Sequence, residues 1–487
     1  MSDALTRTIL ILGAGIMQIP AIRLAKRKGW HVIVADANPH APGIQLADRF
    51  ENVDLRDRDG MVRMAKRCSE NGGLDGVFTA GTDFSTTVAW VTEACGLPGI
   101  PYEVALSATD KVRMRKVFKK SAVPCPRFVG LGQRDDPVRA LKQISLPVVV
   151  KPVDNMGARG VRRVDSESDL RQAFGEAVNA SRVNRVILES YMEGPELSVD
   201  AIVYRGEVTL CGIADRHICF SPYFVEMGHT MPTDMDPRVV TEAVQVFRHG
   251  VAALGIKNGA AKGDIKITRD GPKIGEIAAR LSGGYMSGWT FPYSSGVEVT
   301  DAALNIALGL PPDDLSPRLR CVSAERAFIS IPGTVREIVG LDEAAHIRGV
   351  KDVFLLVKER DDVVFPTNNV EKCGNVISVA PSRSLAVLSA EEAIRRIFIR
   401  LTPSNSFTDE FLLGESGGAA LSHISAFRLK KVQNREALRA MPYFRDRAGD
   451  MAILDLPDSD GEDAKDWHGM KLKQALKQVV TVTGVPL

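Results

Sequence analysis

No apolar run in this chain approaches the roughly 18 residues that a spanning helix needs, so a membrane is not expected as its setting. Charge of one sign is not in excess either. The 62 basic and 60 acidic residues leave +2, which gives no electrostatic footprint for nucleic acid. Cysteine is sparse: the seven residues are odd in number and hold no Cys-x-x-Cys pair. That excludes a disulfide framework and points to reduced, small apolar thiols in a cytoplasmic protein. The opening MSDALTRTILILGAG breaks into glycine rather than into the cleavage region of a signal peptide. A Gly-Lys-Ser/Thr step opening a helix is missing as well, which excludes the P-loop way of holding phosphate. What remains is a 487-residue chain, 45% hydrophobic and 25% charged, with the make-up of a globular protein of about three domains.

Residues 7–105 alternate strand and helix. RTILILGAG reads as a buried strand and turn, IPAIRLAKRKG as a helix, HVIVADANP as a strand ending near Asp36, and GVFTAGTDFS as a further strand and loop. This is the rhythm of an open parallel α/β sheet. GAGIMQ offers Gly13 and Gly15 but has Gln18 where a dinucleotide fingerprint wants its third glycine. With Asp36, it is the whole basis for a nicotinamide-dependent alternative. Ligands of such sheets lie beyond the strand ends, so Gly81-Thr82-Asp83 is a candidate for a substrate amine or carboxylate, or else an ordinary polar loop.

LSATDKVRMRKVFKKSAVPCP, at 106–126, predicts a helix capped by Thr109 or Ser107 and stopped by Pro124 and Pro126. Its basic body reads as a solvated face. LPVVVKPVDNMGARGVRRV is a buried strand ending at Lys151, a loop with Gly157 and Gly160, and a second strand. Glycines let backbone N–H groups close on phosphate oxygens, and a strand lysine adds a point charge; a plain hairpin turn fits as well. In VILESYMEGPELSVDAIVY, Glu189 sits where an apolar strand gives out and Glu196 follows beyond Gly194-Pro195. Carboxylates there can accept the amino N–H of adenine and the hydroxyls of ribose, or can be an exposed acidic linker.

GDIKITRDGPKIGEIAAR predicts strands 262–268 and 273–279, joined by the three-residue loop Arg269-Asp270-Gly271. That register sets Asp264 opposite Glu276 and Lys262 opposite Ala278. Facing side chains lie about 4.5–5.5 Å apart at Cβ, so both acids ionise only with a cation between them. Paired oxygens with room for phosphate and water suit Mg²⁺. In the alternative, Lys262 and Lys266 neutralise the acids on a solvated face. Ser282, Gly283 and Gly284 beyond Arg280 could offer N–H groups to an oxyanion. DRHICFSPYFVEMGHTMPTDM, at 215–235, reads as a mixed loop whose His217 and His229 lack metal-ligand company. VTDAALNIALGL closes this region as a helix, and 318–402 adds short strands and a helix EEAIRRIFIRL.

The ordered set ATDK, PVVVKP with its glycine loop, LESYMEGPELSVD and GDIKI…GEIAARLSGG resembles the ATP-grasp superfamily, and within it the carboxylate–amine (amino-acid) ligases. The resemblance covers roughly residues 7–400. It implies an ATP-grasp fold with an N-terminal Rossmann-like pre-ATP-grasp domain at 1–105, a nucleotide domain at 106–310 with its lid at about 123–192, and a C-terminal α+β lobe at 311–402. Residues 403–487 form an appendage, read as a homodimer or partner contact. The resemblance implies ATP and Mg²⁺, with Mn²⁺ as a substitute, and small carboxylate and amine substrates. Lys111 and Lys151 would hold phosphates under the Gly157–Gly160 loop. Glu189 and the backbone near Met192 would bind adenine, and Glu196 ribose. Asp264 and Glu276 would ligate the metal. Arg280 would meet the transferred phosphate or the substrate carboxylate. Glu226 is the candidate for a substrate amine, Asp83 for a substrate amine or carboxylate, and Ser282 and Gly283 for the acyl-phosphate oxyanion. Two departures stand out: Ala278 replaces a usual asparagine, and Asp264 replaces the commoner glutamate. Lys262 is expected to fill part of the space at Ala278, which allows one Mg²⁺ instead of two. A bicarbonate-phosphorylating enzyme and a non-catalytic ATP-binding protein remain open alternatives.

Overall fold

The computed structural model of the protein describes residues 7–70, 73–402 and 405–413. Almost all of the 403–487 appendage, with its expected contact role, lies outside the described residues. The chain divides into two compact units. The first comprises residues up to Met156, Val164–Arg216 and Thr230–Ser323; the second comprises Gly157–Arg163, His217–His229 and the chain from Ala324 onward.

The first unit opens with β1 (Thr8–Leu12), apolar but for Thr8 and buried at every position, as a central parallel strand should be. It continues through α1 (Ile19–Arg27), β2 (His31–Asp36), β3 (Arg49–Asn52), α2 (Arg58–Glu70), β4 (Gly76–Phe78) and α3 (Ser85–Cys95). The strands are parallel in the order β3-β2-β1-β4. Leu10, Ile33 and Val77 pack with α2 residues Met61 and Met64 on one face; Ile9, Val32 and Phe78 join α1 residues Ile22 and Ala25 on the other. The expected α/β sheet is therefore present. Its strand order reverses at β1, which aims the loop after β4 into the crevice where such sheets take ligands.

The helix expected over 106–126 is two helices, α4 (Tyr102–Ser107) and α5 (Lys111–Lys120). Asp110, not Thr109 or Ser107, caps α5, because its carboxylate reaches the N–H groups of Val112 and Arg113 at 2.9 Å each. The helix ends before Pro124, at a turn in which Ala122 is left-handed. Next come β5 (Phe128–Gly132), α6 (Pro137–Ala140), β6 (Val148–Pro152), β7 (Arg162–Val164), α7 (Glu167–Ala180) and β8 (Arg185–Ser190). β5, β8 and β6 are antiparallel, and α7 packs on them through Leu170, Phe174 and Val178.

The remaining elements of this unit, of which β10 and β11 also have residues in the second, are β9 (Glu196–Tyr204), β10 (Glu207–Cys219), β11 (Val225–Met231), α8 (Pro237–Leu254), β12 (Gly259–Thr268), β13 (Gly271–Ala278), α9 (Phe291–Ser295) and α10 (Val299–Ala307). Strands β13-β12-β9-β10 form an antiparallel ladder. One face is apolar: Leu197, Val199, Ile265, Ile274 and Ile277 pack on Phe118 of α5 and Phe247 of α8. Strand alternation leaves the charged residues on the other face.

The β12–β13 hairpin differs from the sequence expectation at its turn. Thr268 pairs with Gly271, so only Arg269 and Asp270 form the loop. That register alone would set Gly275 against Asp264. A bulge at Gly275 inserts one residue and restores Asp264 opposite Glu276 and Lys262 opposite Ala278. The facing acids are as expected, reached by a different route.

Residues 215–235, most of them in the second unit, are not a loop: β10 runs to Cys219 and β11 starts at Val225. Further elements are β14 (Val322–Phe328), β15 (Gly333–Val339), α11 (Leu341–Ala345), β16 (Val350–Leu355), β17 (Asp362–Val363), β18 (Gly374–Ala380), α12 (Arg383–Arg396), β19 (Phe398–Leu401) and α13 (Ser406–Leu413). Strands run β11-β14-β18-β16 in one ladder and β17-β15-β19 in another. The expected helix EEAIRRIFIRL starts earlier, at Arg383, and its last four residues are a strand instead. Phe398–Leu401 pairs with β15, and β-branched and aromatic residues suit that role. No helix among the described residues is long and apolar enough to cross a membrane.

Candidate active site

On the charged face of the ladder, β9 contributes Glu196, Ser198 and Asp200, β12 contributes Lys262, Asp264 and Lys266, and β13 contributes Glu276. Asp264 sits between Ser198 and Glu276, and Lys262 between Asp200 and Ala278. Lysines do neutralise acids here, but on a largely covered face. Asp264 is in ion-pair contact with Lys262 and, at 2.9 Å, with Arg216 of β10. Arg216 also contacts Glu196, and Lys266 reaches Glu196 at 3.3 Å. The Lys111 ammonium lies 3.7 Å from Glu276. Burial pushes Glu276 upward, but Lys111, Lys262, Arg280 and Lys151 outweigh it and hold this carboxyl down at about 2.

Glu189 and Glu196 are not on an exposed linker. Glu189 is 1% exposed, with Arg115 Nε at 2.7 Å from one oxygen and Lys151 Nζ at 2.8 Å from the other. Burial raises its pKa, and the two cations more than reverse that. Arg115 was hidden in what reads as a solvated basic helix, yet it is fully buried. Its Nη2 donates to the carbonyl of Gly275, tying α5 to the bulge. A signal existed: Lys111, Met114, Arg115 and Phe118 follow the i, i+3, i+4, i+7 spacing of one helix face, and two of them are apolar. Arg216 and Asp200 were also missed. Asp200 is buried, accepts a 2.5 Å hydrogen bond from Ser282 Oγ, and has its carboxyl pushed upward by burial.

Ser282 and Gly283 meet the loop after β4. Gly81 is left-handed, and a Cβ on it would come within 3.0 Å of Gly283 Cα. Asp83, at the same loop, accepts a hydrogen bond from Arg182 at 3.2 Å. Burial raises its pKa, against the pull of Lys111, Arg182 and Arg280. Arg280 lines a cavity of about 370 Å³ together with Phe78, Thr79, Ser85, Ile100 and Tyr204. Lys111 is anchored by donating to the Asn155 carbonyl at 2.8 Å. Met192 is half-buried just past β8. The structure thus brings Lys111, Lys151, Glu189, Glu196, Asp264, Glu276, Arg280, Ser282, Gly283 and Asp83 into one unit.

Gly157, Gly160 and Glu226 belong to the second unit. Both glycines are left-handed, at φ 67° and 69°. Glu226 has its backbone carbonyl held by Lys372 Nζ at 3.0 Å, and its N–H donates to Asn369. Beside it His229 is fully buried, with Nδ1 3.1 Å from Glu325.

The dinucleotide alternative loses its footing at the first turn. The Gln18 side chain fills the space over Gly13, with Cδ 3.1 Å from where a Cβ would lie, and Nε2 donates to the Ala80 carbonyl. Asp36 accepts the N–H groups of Ala14 and Asn38, so both its oxygens are engaged by backbone.

For a divalent ion, Asp264 and Glu276 supply a facing pair of hard oxygen donors beside lysines suited to phosphate. That fits Mg²⁺ held by one or two carboxylates and completed by phosphate and water. Among the described residues, no cluster of three or more His, Cys, Asp or Glu forms a closed protein cage for a metal.

The ATP-grasp domain family matches residues 144–288, and the L-amino acid ligase C-terminal domain 2 matches residues 327–402. Human carnosine synthase 1 is 26% identical over 78% of this chain, which spans only 49% of that longer protein. The L-arginine-specific L-amino acid ligase of Bacillus subtilis is 23% identical over 64% of this chain and 76% of its own length. The crystal structure of an L-amino acid ligase from Bacillus licheniformis superposes with a TM-score of 0.71 at 21% identity, covering 82% of this chain and 99% of that one. Taken with the parallel N-terminal sheet and the charged ladder, these matches show that the chain carries an ATP-grasp domain and the C-terminal domain 2 of L-amino acid ligases, in the fold of the ATP-grasp proteins.

Proposed function

We propose that this enzyme joins a small carboxylate or amino acid to an amine through an acyl phosphate, releasing ADP and phosphate. The observation that carries the reading is the Asp264–Glu276 opposition with Lys111 beside it and Glu189 fixing Lys151. A carboxylate oxygen attacks the γ-phosphorus of ATP and ADP leaves. The amine nitrogen then attacks the acyl carbon, phosphate departs with the C–O bond, and the nitrogen loses a proton to solvent. Lys111, Lys151 and Arg280 stabilise charge on the transferred group by position alone, as phosphoryl transfer requires. Mg²⁺ held by Asp264 and Glu276 would screen the phosphate oxygens. Glu196 is held on the ladder by Arg216 and Lys266, where ribose hydroxyls can reach it. Asp200 orients Ser282 so that the Ser282–Gly283 backbone lies by the acyl group. The cavity beside Arg280 has the size of a small-molecule site. Relatives named for L-amino acid ligation and carnosine synthesis support an amino-acid substrate. A cytoplasmic setting, where ATP is abundant, goes with this reading.

The test is ADP release against a panel of amino acids, small carboxylates and bicarbonate, with the products identified by mass. Paired dependence on a carboxylate and an amine, with hydroxylamine trapping the activated acyl group, is the expected result. ADP release that needs bicarbonate alone would favour the carboxyphosphate reading. ATP binding without any ADP release would leave a nucleotide-binding protein.

A further inference from the structure

We infer that Lys262 acts as a resident cation at the metal site, so that a divalent ion enters only with the nucleotide and as a single ion. This deepens the ligase reading and rests on it for its nucleotide arm. Four acids of the site already have a cation from the protein. Asp264 contacts both Lys262 and Arg216, Glu276 faces Lys111, Glu196 faces Arg216 and Lys266, and Glu189 faces Arg115 and Lys151. A metal approaching without phosphate meets carboxylates whose charge is spent, and ammonium groups that repel it. Phosphate oxygens change the balance: they add negative charge and ligands, and they give Lys111 and Lys151 a new partner.

The count of one follows from the neighbours of Glu276. Two residues on along β13, the same face carries Ala278, which has no donor atom. Across from it lies Lys262, rooted between Asp200 and Ala278 and turned onto Asp264. Where a second ion would need a ligand, the protein has a methyl group and a positive charge. Lys262 therefore substitutes for a second divalent ion and lowers the dependence on free metal.

The experiment is Mn²⁺ titration followed by the electron paramagnetic resonance of free Mn²⁺, on the full chain, with and without a non-hydrolysable ATP analogue. Wild type is expected to bind no Mn²⁺ saturably when alone, and one ion per chain in the ternary complex. Lys262→Met keeps the stem and removes the charge. It should bind Mn²⁺ saturably without nucleotide, roughly tenfold or more tighter than the limit set by wild type. Lys262→Arg, which keeps a cation, should behave like wild type, and thermal melts confirm that each variant is folded. Nucleotide-free binding by wild type as tight as by Lys262→Met overturns the inference, and so do two ions in the ternary complex. If the analogue does not bind at all, the ligase reading fails, and the nucleotide-free comparison still decides the role of Lys262.

Discussion

Arg115→Met removes a fully buried guanidinium that holds two things at once, the Glu189 carboxylate and the Gly275 carbonyl. Breaking a buried ion pair by deleting one partner costs about 3–5 kcal/mol, because the other charge stays buried. Here Lys151 remains 2.8 Å from Glu189, which places the charge contribution at the low end. Orphaning the bulge carbonyl adds about 1–3 kcal/mol, so a total of about 4–6 kcal/mol is expected. Glu189→Gln in the same chain removes the uncompensated charge and should recover about 2 kcal/mol of that loss. Trp30, Trp90 and Trp289 all lie in the same unit as Arg115 and report its unfolding in urea by fluorescence. The two single variants and the double variant complete a thermodynamic cycle, and a coupling of about 2 kcal/mol or more is expected. A loss below about 1 kcal/mol for Arg115→Met, or additivity within about 0.5 kcal/mol, would refute the view of Arg115 as the clamp between helix and bulge.

Other outcomes follow from single contacts. Lys151→Met should lower the rate of ADP formation by about 10²–10³-fold, as loss of one preorganised charge donor does, measured by coupled ADP assay. Gly81→Ala forces a left-handed alanine into 3.0 Å of Gly283; it should cost more than about 1 kcal/mol in the melt and lower turnover more than it changes the KM for ATP. His217 is depressed from 6.5 to about 4 by burial and by the Arg326, His229 and Arg383 charges, so its neutral form is favoured in the fold. Stability from this group is complete above pH 6.5 and lost as pH falls from 6.5 toward 4, by at most about 3 kcal/mol. His217→Asn should flatten that part of the stability curve; an unchanged slope between pH 6.5 and 4 would exclude the assignment.

Much of the site was readable because strands advertise themselves by period. Alternating Lys262, Asp264 and Lys266 against buried Ile265 and half-buried Ile267 mark a two-faced strand, and a three-residue loop sets Glu276 opposite Asp264. The turn was misread because Gly275 gives no sign that it is an inserted residue. A glycine in a strand fits the regular ladder and the bulge equally well, and only the closed pairing of both ends separates them. Arg115 failed for another reason. Charge predicts solvent exposure on average, and its partners, Glu189 and the Gly275 carbonyl, stand 74 and 160 residues along the chain. Arg216 was obscured by the same kind of distance, since the segment around it carries turn-forming residues that hide the end of β10. The N-terminal sheet was legible from its buried apolar runs, while the state of its first turn depended on a single side-chain conformation.

That conformation has a practical outcome. With a glutamine amide plugging the first crossover and the neighbouring aspartate spoken for, the turn that seats pyridine nucleotides in such sheets is closed to them. Resins carrying immobilised dinucleotides or nucleotide-mimicking dyes should retain it only through its triphosphate cleft. ATP ought to wash it off such a column, and NAD(P)H ought to leave it there.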